Sequence, residues 1–289
     1  TQGSVVIHGE QGMGDEIMFA SCIPDAIATG ARIILEPSPR NEKLFQRSFP
    51  LTKVYGTNDL DGRRWIADLG PPDFKCGLGS LPKFFRRSAA AFPGTPYLRP
   101  DPALRAWWGD KLKALPGRPK IGLAWQGGVN GTRVDARSFH PVEMAAVFKA
   151  VDAAWVSLQY DPHARDNVEE TRQQIGVKIA HWPKAVEWKN PDTGEPNDMD
   201  ELVALVSKLD LVIAVCQTAV HVAGALGVPC WCLTPSEPSW RYGAGDTTRI
   251  PWYNSVTLIR QAKGSRDWQP VFAEVAKRLP EFVAERKIA

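Results

Sequence analysis

Asp15 and Glu16 follow a glycine-rich turn, Gly9-Glu10-Gln11-Gly12-Met13-Gly14, which itself follows the β-branched run Ser4 to His8. A carboxylate on a tight turn at a strand's end can take the proton of an attacking hydroxyl, provided it is ionised and within hydrogen-bond reach. Asp15 is the residue placed for that general-base role. The same acid also reads as an ordinary first-turn residue favoured by the positive end of a helix, and Glu16 shares that second reading. His8 ends the preceding run and is read either as facing the same cleft or as a satisfied interior histidine. With Glu36 closing the next strand about twenty residues on, the turn has the outline of a dinucleotide fingerprint. Two features oppose a nicotinamide or flavin there: the spacing is G-x-x-G-x-G, and two acids stand where a pyrophosphate needs bare backbone N–H groups.

A second turn, Val215-Cys216-Gln217-Thr218-Ala219-Val220-His221, joins another apolar run to a helical one and carries no acid. The small residues Thr218, Ala219 and Gly224 let backbone N–H groups approach a phosphate, and the helix end adds about half a positive charge. The alternative is a plain buried connection with a capping threonine. His221, one helical turn in, either donates to the phosphate or fills a polar niche of the core.

Elements that place these turns alternate in βα order. The first third reads as strand Ser4 to His8, helix Glu16 to Ala28, strand Ala31 to Glu36 and helix Asn41 to Arg47, which implies a parallel sheet. The stretch Asp59 to Pro102 is turn-rich, and a helix from Pro102 to Leu115 ends at Leu-Pro-Gly-Arg-Pro. Beyond it the grammar repeats through strands at Ile121 to Trp125, Ala154 to Gln159, Val177 to Ala180, Leu211 to Val215, Pro229 to Leu233 and Ser255 to Arg260. Helices fall at Pro141 to Val151, Arg165 to Ile175, Met199 to Lys208 and Ala219 to Leu226. Two doubly wound, Rossmann-like α/β domains are expected, residues 1–116 and 117–289, facing a cleft beyond their strands' carboxyl ends. Two final helices, Trp268 to Leu279 and Pro280 to Arg286, have apolar faces that pack on the second domain or back on the first.

The 289 residues hold 35 basic and 32 acidic side chains, a net charge of +3, with no basic run, so nucleic acid is not expected as a ligand. Polar and glycine interruptions divide the most apolar stretch, Leu211 to Leu233, so no membrane span is expected. Five cysteines (Cys22, Cys76, Cys216, Cys230, Cys232) are odd in number and irregularly spaced. They read as reduced thiols of a cytoplasmic protein and not as a metal site. Thr1 is neither an initiator Met nor part of a charged leader, so the chain reads as a piece of something longer with no signal peptide.

In order along the chain, Gly9 to Ile17, Gly122-Leu123-Ala124-Trp125 followed by Arg137-Ser138, Val156-Ser157-Leu158-Gln159, Leu209-Asp210-Leu211-Val212-Ile213, His221 to Gly227, Trp240-Arg241-Tyr242 and Pro251-Trp252-Tyr253 form an ordered set. This set resembles the glycosyltransferase region of bacterial tetratricopeptide-repeat proteins related to the family 9 heptosyltransferases. The resemblance implies a GT-B fold, with the acceptor on the first domain, a nucleotide-sugar donor on the second, and no metal or other cofactor. It implies Asp15 as the base of an inverting transfer, with Gly12, Met13, Gly14 and Glu16 on the acceptor side. Trp125, Gly127 and Gly128 would border the donor, Ser157 and Gln159 would lie near its base, and Asp200 or Glu201 would bond the ribose. Thr218, Ala219, Val220 and His221 would offer the helix end to the phosphates.

The heptosyltransferases usually have Asp-Thr where this chain has Cys216-Gln217, so a heptose on ADP is not implied. Relatives joined to such repeats are associated with protein glycosylation, including that of flagellin, where a CMP-activated nonulosonic acid can be the donor. The expected partners are therefore a nucleotide sugar, a protein, glycan or lipid acceptor, and an upstream tetratricopeptide-repeat domain. Arg133, Arg137 and Arg241 are candidates to neutralise the leaving group without a metal, each with a solvated-charge alternative. Among eleven tryptophans, Trp182 and Trp252 are candidates to stack on a base or sugar. The alternatives are a non-catalytic nucleotide-sugar or protein-binding module, motivated by Cys216-Gln217, and the nicotinamide oxidoreductase.

Overall fold

The computed structural model describes residues 3–57, 64–128, 133–189, 193–243 and 247–288. Its first sheet contains β1 (Ser4–His8), β2 (Arg32–Glu36), β3 (Lys53–Val54) and β4 (Phe74–Gly77), in the order β3-β2-β1-β4. The second contains β5 (Lys120–Ala124), β6 (Ala154–Ser157), β7 (Ile179–Ala180), β8 (Leu211–Val215), β9 (Cys230–Thr234) and β10 (Val256–Arg260), in the order β10-β9-β8-β5-β6-β7. Every pairing between these strands is parallel. The α/β class and the GT-B architecture of two parallel sheets follow. The order in which successive strands are laid down reverses between β1 and β4 in one sheet and between β5 and β8 in the other, and ligands of such sheets sit beyond the strand ends at these switch points.

β5, β8 and β9 are buried along their whole length, as parallel strands covered on both faces must be. Their side chains alternate between two cores. Ile121, Leu123, Leu211, Ile213 and Val215 enter one, packed on α7 (Ala145–Ala150) and α12 (Gln269–Ile288). Ala124, Val212, Ala214 and Cys216 enter the other, which runs on through α10 (Asp200–Val206) and α11 (Thr218–Leu226) into the first sheet's Ile7, Ile33 and Leu35. Burial of each large aliphatic side chain contributes about 1.5–3 kcal/mol, so this shared core is a strong tie between the sheets.

Several elements differ from the sequence expectation. The helix read from Glu16 to Ala28 is two, α1 (Met13–Phe19) and α2 (Ile23–Ala28), joined by a 3-10 turn at Ala20–Cys22. Pro24, which has no N–H to give a preceding turn, stands at the start of α2. Conversely, the two final helices are one. Pro280 lies inside α12, and its cost of about 3 kcal/mol is outweighed by the burial of Val271, Phe272, Val275, Leu279 and Val283. These residues join the second core, which contains no residue of the first sheet.

The turn-rich stretch contains β4 together with α4 (Arg64–Leu69) and α5 (Pro82–Phe85), and residues 59–63 of that reading lie outside the described residues. α3 (Glu42–Ser48) precedes β3. α6 (Pro102–Lys113) begins where Asp101 accepts the N–H groups of Ala103 and Leu104, both at 2.9 Å, and it packs on α10. α8 (Ala164–Ile175) and α9 (Pro183–Val186) complete the helices. Among the described residues no helix is long and apolar enough to cross a membrane.

Candidate functional site

A cleft of about 830 Å³ opens at the carboxyl ends of the strands, where the β1–α1 turn meets the β8–α11 turn. Asp15, Arg137, Gln217, Thr218 and Arg241 all line it. Helices α1 and α11 approach closely because Gly14 has no side chain. A Cβ there would lie 3.0 Å from His221 Cδ2 and 3.3 Å from the Thr218 backbone.

On the first wall, Gly12 caps α1 and its N–H donates to Asp15 Oδ2 at 3.3 Å. The other oxygen, Oδ1, pairs with Arg241 Nε across the cleft. Asp15 is thus both a cap and a cleft carboxylate, so its two sequence readings are compatible. Met13 and Gly14 line the cleft beside it. Glu16 reaches the cleft but is occupied in the interior: it accepts the Ser38 N–H at 3.1 Å and the Asn41 Nδ2 at 2.7 Å. Burial raises its pKa, and the Asn41 and Ser38 hydrogen bonds oppose that. Its work is to fasten α1 to the β2–α3 loop. His8 pairs with Glu36 at the ends of β1 and β2.

On the second wall, Gln217 caps α11, its Oε1 accepting the Ala219 N–H at 3.5 Å. Gln217 Nε2 is buried with no partner among the described residues. Thr218 lines the cleft, while Ala219 and Val220 are fully interior and offer only backbone. The alternatives left open for His221 resolve towards the core niche. Nδ1 lies 3.2 Å from the Tyr253 hydroxyl and Nε2 lies 3.1 Å from that of Tyr242. Burial, with a smaller contribution from Arg241, pushes its pKa down to about 3, so the ring is neutral. Both nitrogens being engaged, it forms the cleft's floor and does not present a donor to a phosphate.

Other expected residues sit around or behind the cleft. Trp125 is 1% exposed and packs in the second core. Gly127 stands against the Cys216 carbonyl, 2.7 Å from where its Cβ would be, and Gly128 (φ +93°) offers its carbonyl to the Tyr160 hydroxyl at 2.6 Å. Ser157 and Gln159 are fully buried. Gln159 Oε1 accepts the N–H groups of Trp125 and Gln126, both at 3.0 Å, and Ser157 contacts His181 Nδ1 at 3.0 Å. They set the course of the β5 loop from behind. Burial lowers the pKa of His181.

Asp200 and Glu201 are likewise engaged away from the cleft. Asp200 holds Arg47, while Glu201 accepts Trp108 Nε1 at 2.8 Å and pairs with Lys184 at 2.7 Å. They tie α10 to α3, α6 and α9. Trp182 packs edge-on against Trp108, with 5.1 Å between ring centroids, and Trp252 is buried edge-on to Phe19 and Phe92. Both are core anchors. Arg133 pairs with exposed Glu237 at 2.9 Å, at a side pocket of about 160 Å³ that it shares with Arg137 and Cys216.

Sequence reasoning missed Gln11, Arg40, Tyr160 and Trp188, all lining the cleft. Arg40 donates through Nε to the Asn197 carbonyl, and its guanidinium lies 4.3 Å from the Trp188 ring centroid. Loop residues without a motif give no signal of this kind, although Gln11, inside the glycine turn, adopts φ +65° and was open to suspicion. Four of the five thiols are buried, and Cys216 Sγ lies 3.8 Å from Cys232 Sγ. Among the described residues no group of three or more His, Cys, Asp or Glu could hold a metal ion.

Two parallel sheets with their strand ends facing one cleft, an acid on one wall and a helix start on the other, make up the GT-B fold. Solved structures similar to it include family 9, heptosyltransferase-like enzymes, the family that the motifs resemble. The family 9 glycosyl transferase of Veillonella parvula is 13% identical with a TM-score of 0.68, over 99% of this chain and 98% of that one. The ADP-heptose LPS heptosyltransferase II of E. coli is 14% identical with a TM-score of 0.64, over 98% and 99%. The E. coli heptosyltransferase WaaC with ADP-2-deoxy-2-fluoro heptose is 12% identical with a TM-score of 0.55, over 96% and 99%. By sequence the chain is 32% identical over 295 residues to protein FlbA of Caulobacter vibrioides, covering 97% of this chain but only 47% of that protein. No family model matches.

Proposed function

We propose that this chain transfers a sugar from a nucleotide-activated donor to an acceptor hydroxyl, with inversion at the anomeric carbon. The observation that supports this reading is Asp15 opposite the start of α11, both lining one cleft. Residues 1–116 hold the acceptor and residues 117–289 the donor. The donor's phosphates lie at Thr218 and the backbone N–H groups beside it, where the helix end favours negative charge. Asp15 takes the acceptor's proton, the acceptor oxygen bonds to the anomeric carbon, and the bond from that carbon to the phosphate oxygen breaks. The nucleotide leaves with the electron pair, its charge met by Arg137 and Arg241 instead of a metal. A protein acceptor such as flagellin, an upstream repeat domain that recruits it, and a cytoplasmic site of action belong to the same reading.

The solved neighbours named for ADP-heptose put ADP in the test panel. Titration with UDP, GDP, ADP and CMP, with and without Mg²⁺, should give a metal-independent thermal shift with one of them. Asp15→Asn should then lower turnover by ~10²- to 10⁴-fold while nucleotide binding is retained. Loss of folding together with activity would refute the base assignment. A second reading, a binding module without catalysis, is favoured by Cys216, a buried thiol where the heptosyltransferases usually have an acid. Nucleotide binding without turnover on any acceptor would select it.

A further inference from the structure

Arg241 links the two walls of the cleft. From the short turn Trp240–Tyr242 its Nε pairs with Asp15 Oδ1, its Nη2 donates to Gln11 Oε1 at 2.7 Å, and its Nη1 donates to Ser239 Oγ at 3.3 Å. The Asp15 and Arg241 side chains are each only 19% exposed. With Oδ2 taking the Gly12 N–H, each oxygen of Asp15 already has a partner beside which an acceptor hydroxyl would have to fit. Arg241 therefore covers one side of the carboxylate.

The backbone that carries Arg241 is fixed. Tyr242 is buried, its hydroxyl meets His221 Nε2, and its carbonyl accepts from Arg260. The residue anchoring its neighbour, His221, lies one helical turn from Thr218, at the start of α11. A guanidinium tethered there stands between a single carboxylate and the place where a phosphate would bind, and phosphate oxygens present it with more negative charge and a matching fork.

We propose that Arg241 is an exchange residue: it covers Asp15 in the empty cleft, and the phosphate of an incoming nucleotide draws it off, so that the base opens only after the donor binds. This rests on the transferase reading above and adds a compulsory order, donor first and acceptor second. It also keeps a bare cleft from accepting hydroxyl compounds at Asp15.

A double-mutant cycle on nucleotide binding tests it without knowledge of the acceptor, using whichever of UDP, GDP, ADP or CMP binds the wild-type chain. Arg241→Gln should weaken binding about tenfold or more, as loss of a charged hydrogen bond does. Asp15→Asn should tighten binding, because Arg241 no longer has to leave a partner, and in the Arg241→Gln background that gain should vanish. Unchanged or weaker binding in Asp15→Asn overturns the exchange. A gain that persists in the double variant shows simple repulsion by Asp15 and overturns it as well. If Arg241→Gln fails to fold, Arg241→Lys takes its place and should lose part of the affinity and part of the gain. Failure of the wild-type chain to bind any nucleotide overturns the transferase reading itself, and the exchange with it.

Discussion

Gly14→Ala and Gly109→Ala are the same change on two helices, and the structure assigns them opposite signs. At Gly109, inside α6, a Cβ would meet only the flexible end of Lys208, 3.1 Å from Cε. Replacing an interior helical glycine gains about 0.5–1 kcal/mol, and the lysine tail can move aside, so this variant should be more stable than wild type. At Gly14 the new methyl would sit 3.0 Å from His221 Cδ2 and 3.3 Å from the Thr218 Cα. Neither can yield freely: the imidazole is held by Tyr242 and Tyr253, and the other atom is backbone. Overpacking costs typically ~1–3 kcal/mol, and Gly14 stands in the first turn, where less helix propensity is returned, so a net loss of about 1–2 kcal/mol is expected. Urea melts of the three proteins measure the signs directly, and nucleotide titration should show weaker binding in Gly14→Ala alone, since the methyl pushes α1 away from α11. Equal stabilisation by both substitutions would refute the claim that Gly14 exists for the approach of these helices.

Glu201→Ala and Trp108→Phe should each lower stability by about 1–3 kcal/mol, by leaving one side of the buried Trp108–Glu201 hydrogen bond unpaired, with nucleotide affinity unchanged; a selective loss of affinity in urea-stable protein would restore Glu201 to the ribose. His221 has a folded pKa of about 3 against an ordinary 6.5. The unfolded chain therefore binds a proton that the folded one does not, and stability present above pH 6.5 should fall as pH drops towards 3. His221→Gln should flatten that part of a pH series of urea midpoints, and an unaltered slope would contradict the assignment. Gly224→Ala, whose Cβ would strike the buried Tyr253 ring, should destabilise by about 2 kcal/mol or more, read by the same melts.

What the sequence disclosed and what it withheld separate along physical lines. β1 and β8 were readable from end to end because uninterrupted β-branched runs have few other homes than a covered parallel strand. β3, with two residues, and β4, an edge strand after Pro71-Pro72, carry too little pattern to rise above the turns around them. The cleft's two defining turns were legible because glycine, acid and small residues each answer a local backbone demand. The partners of Asp200 and Glu201 were hidden for a related reason: an acid at a helix start looks the same whether it faces a cleft or an arginine 153 residues away in another layer, and Arg47 and Trp108 are distant in sequence. Trp125, Trp182 and Trp252 repeat the lesson, since an indole's residue type does not say which of its faces is covered.

The continuous core beneath the cleft bears on how such proteins can be recombined. Ile7 and Leu35 of the first sheet belong to the same buried cluster as Val212 of the second, Leu205 of α10 and Val220 of α11, and Trp108 is seated on α10 although it precedes the link into β5. A chimera joined at residue 116 would transplant the donor half onto an acceptor half shaped for another partner, stripping Trp108 of Glu201 and setting a foreign helix against Gly14. Exchange of specificity between relatives should therefore succeed at the turns around the cleft's rim and fail at the linker, and the two halves are expected to melt together as one cooperative unit.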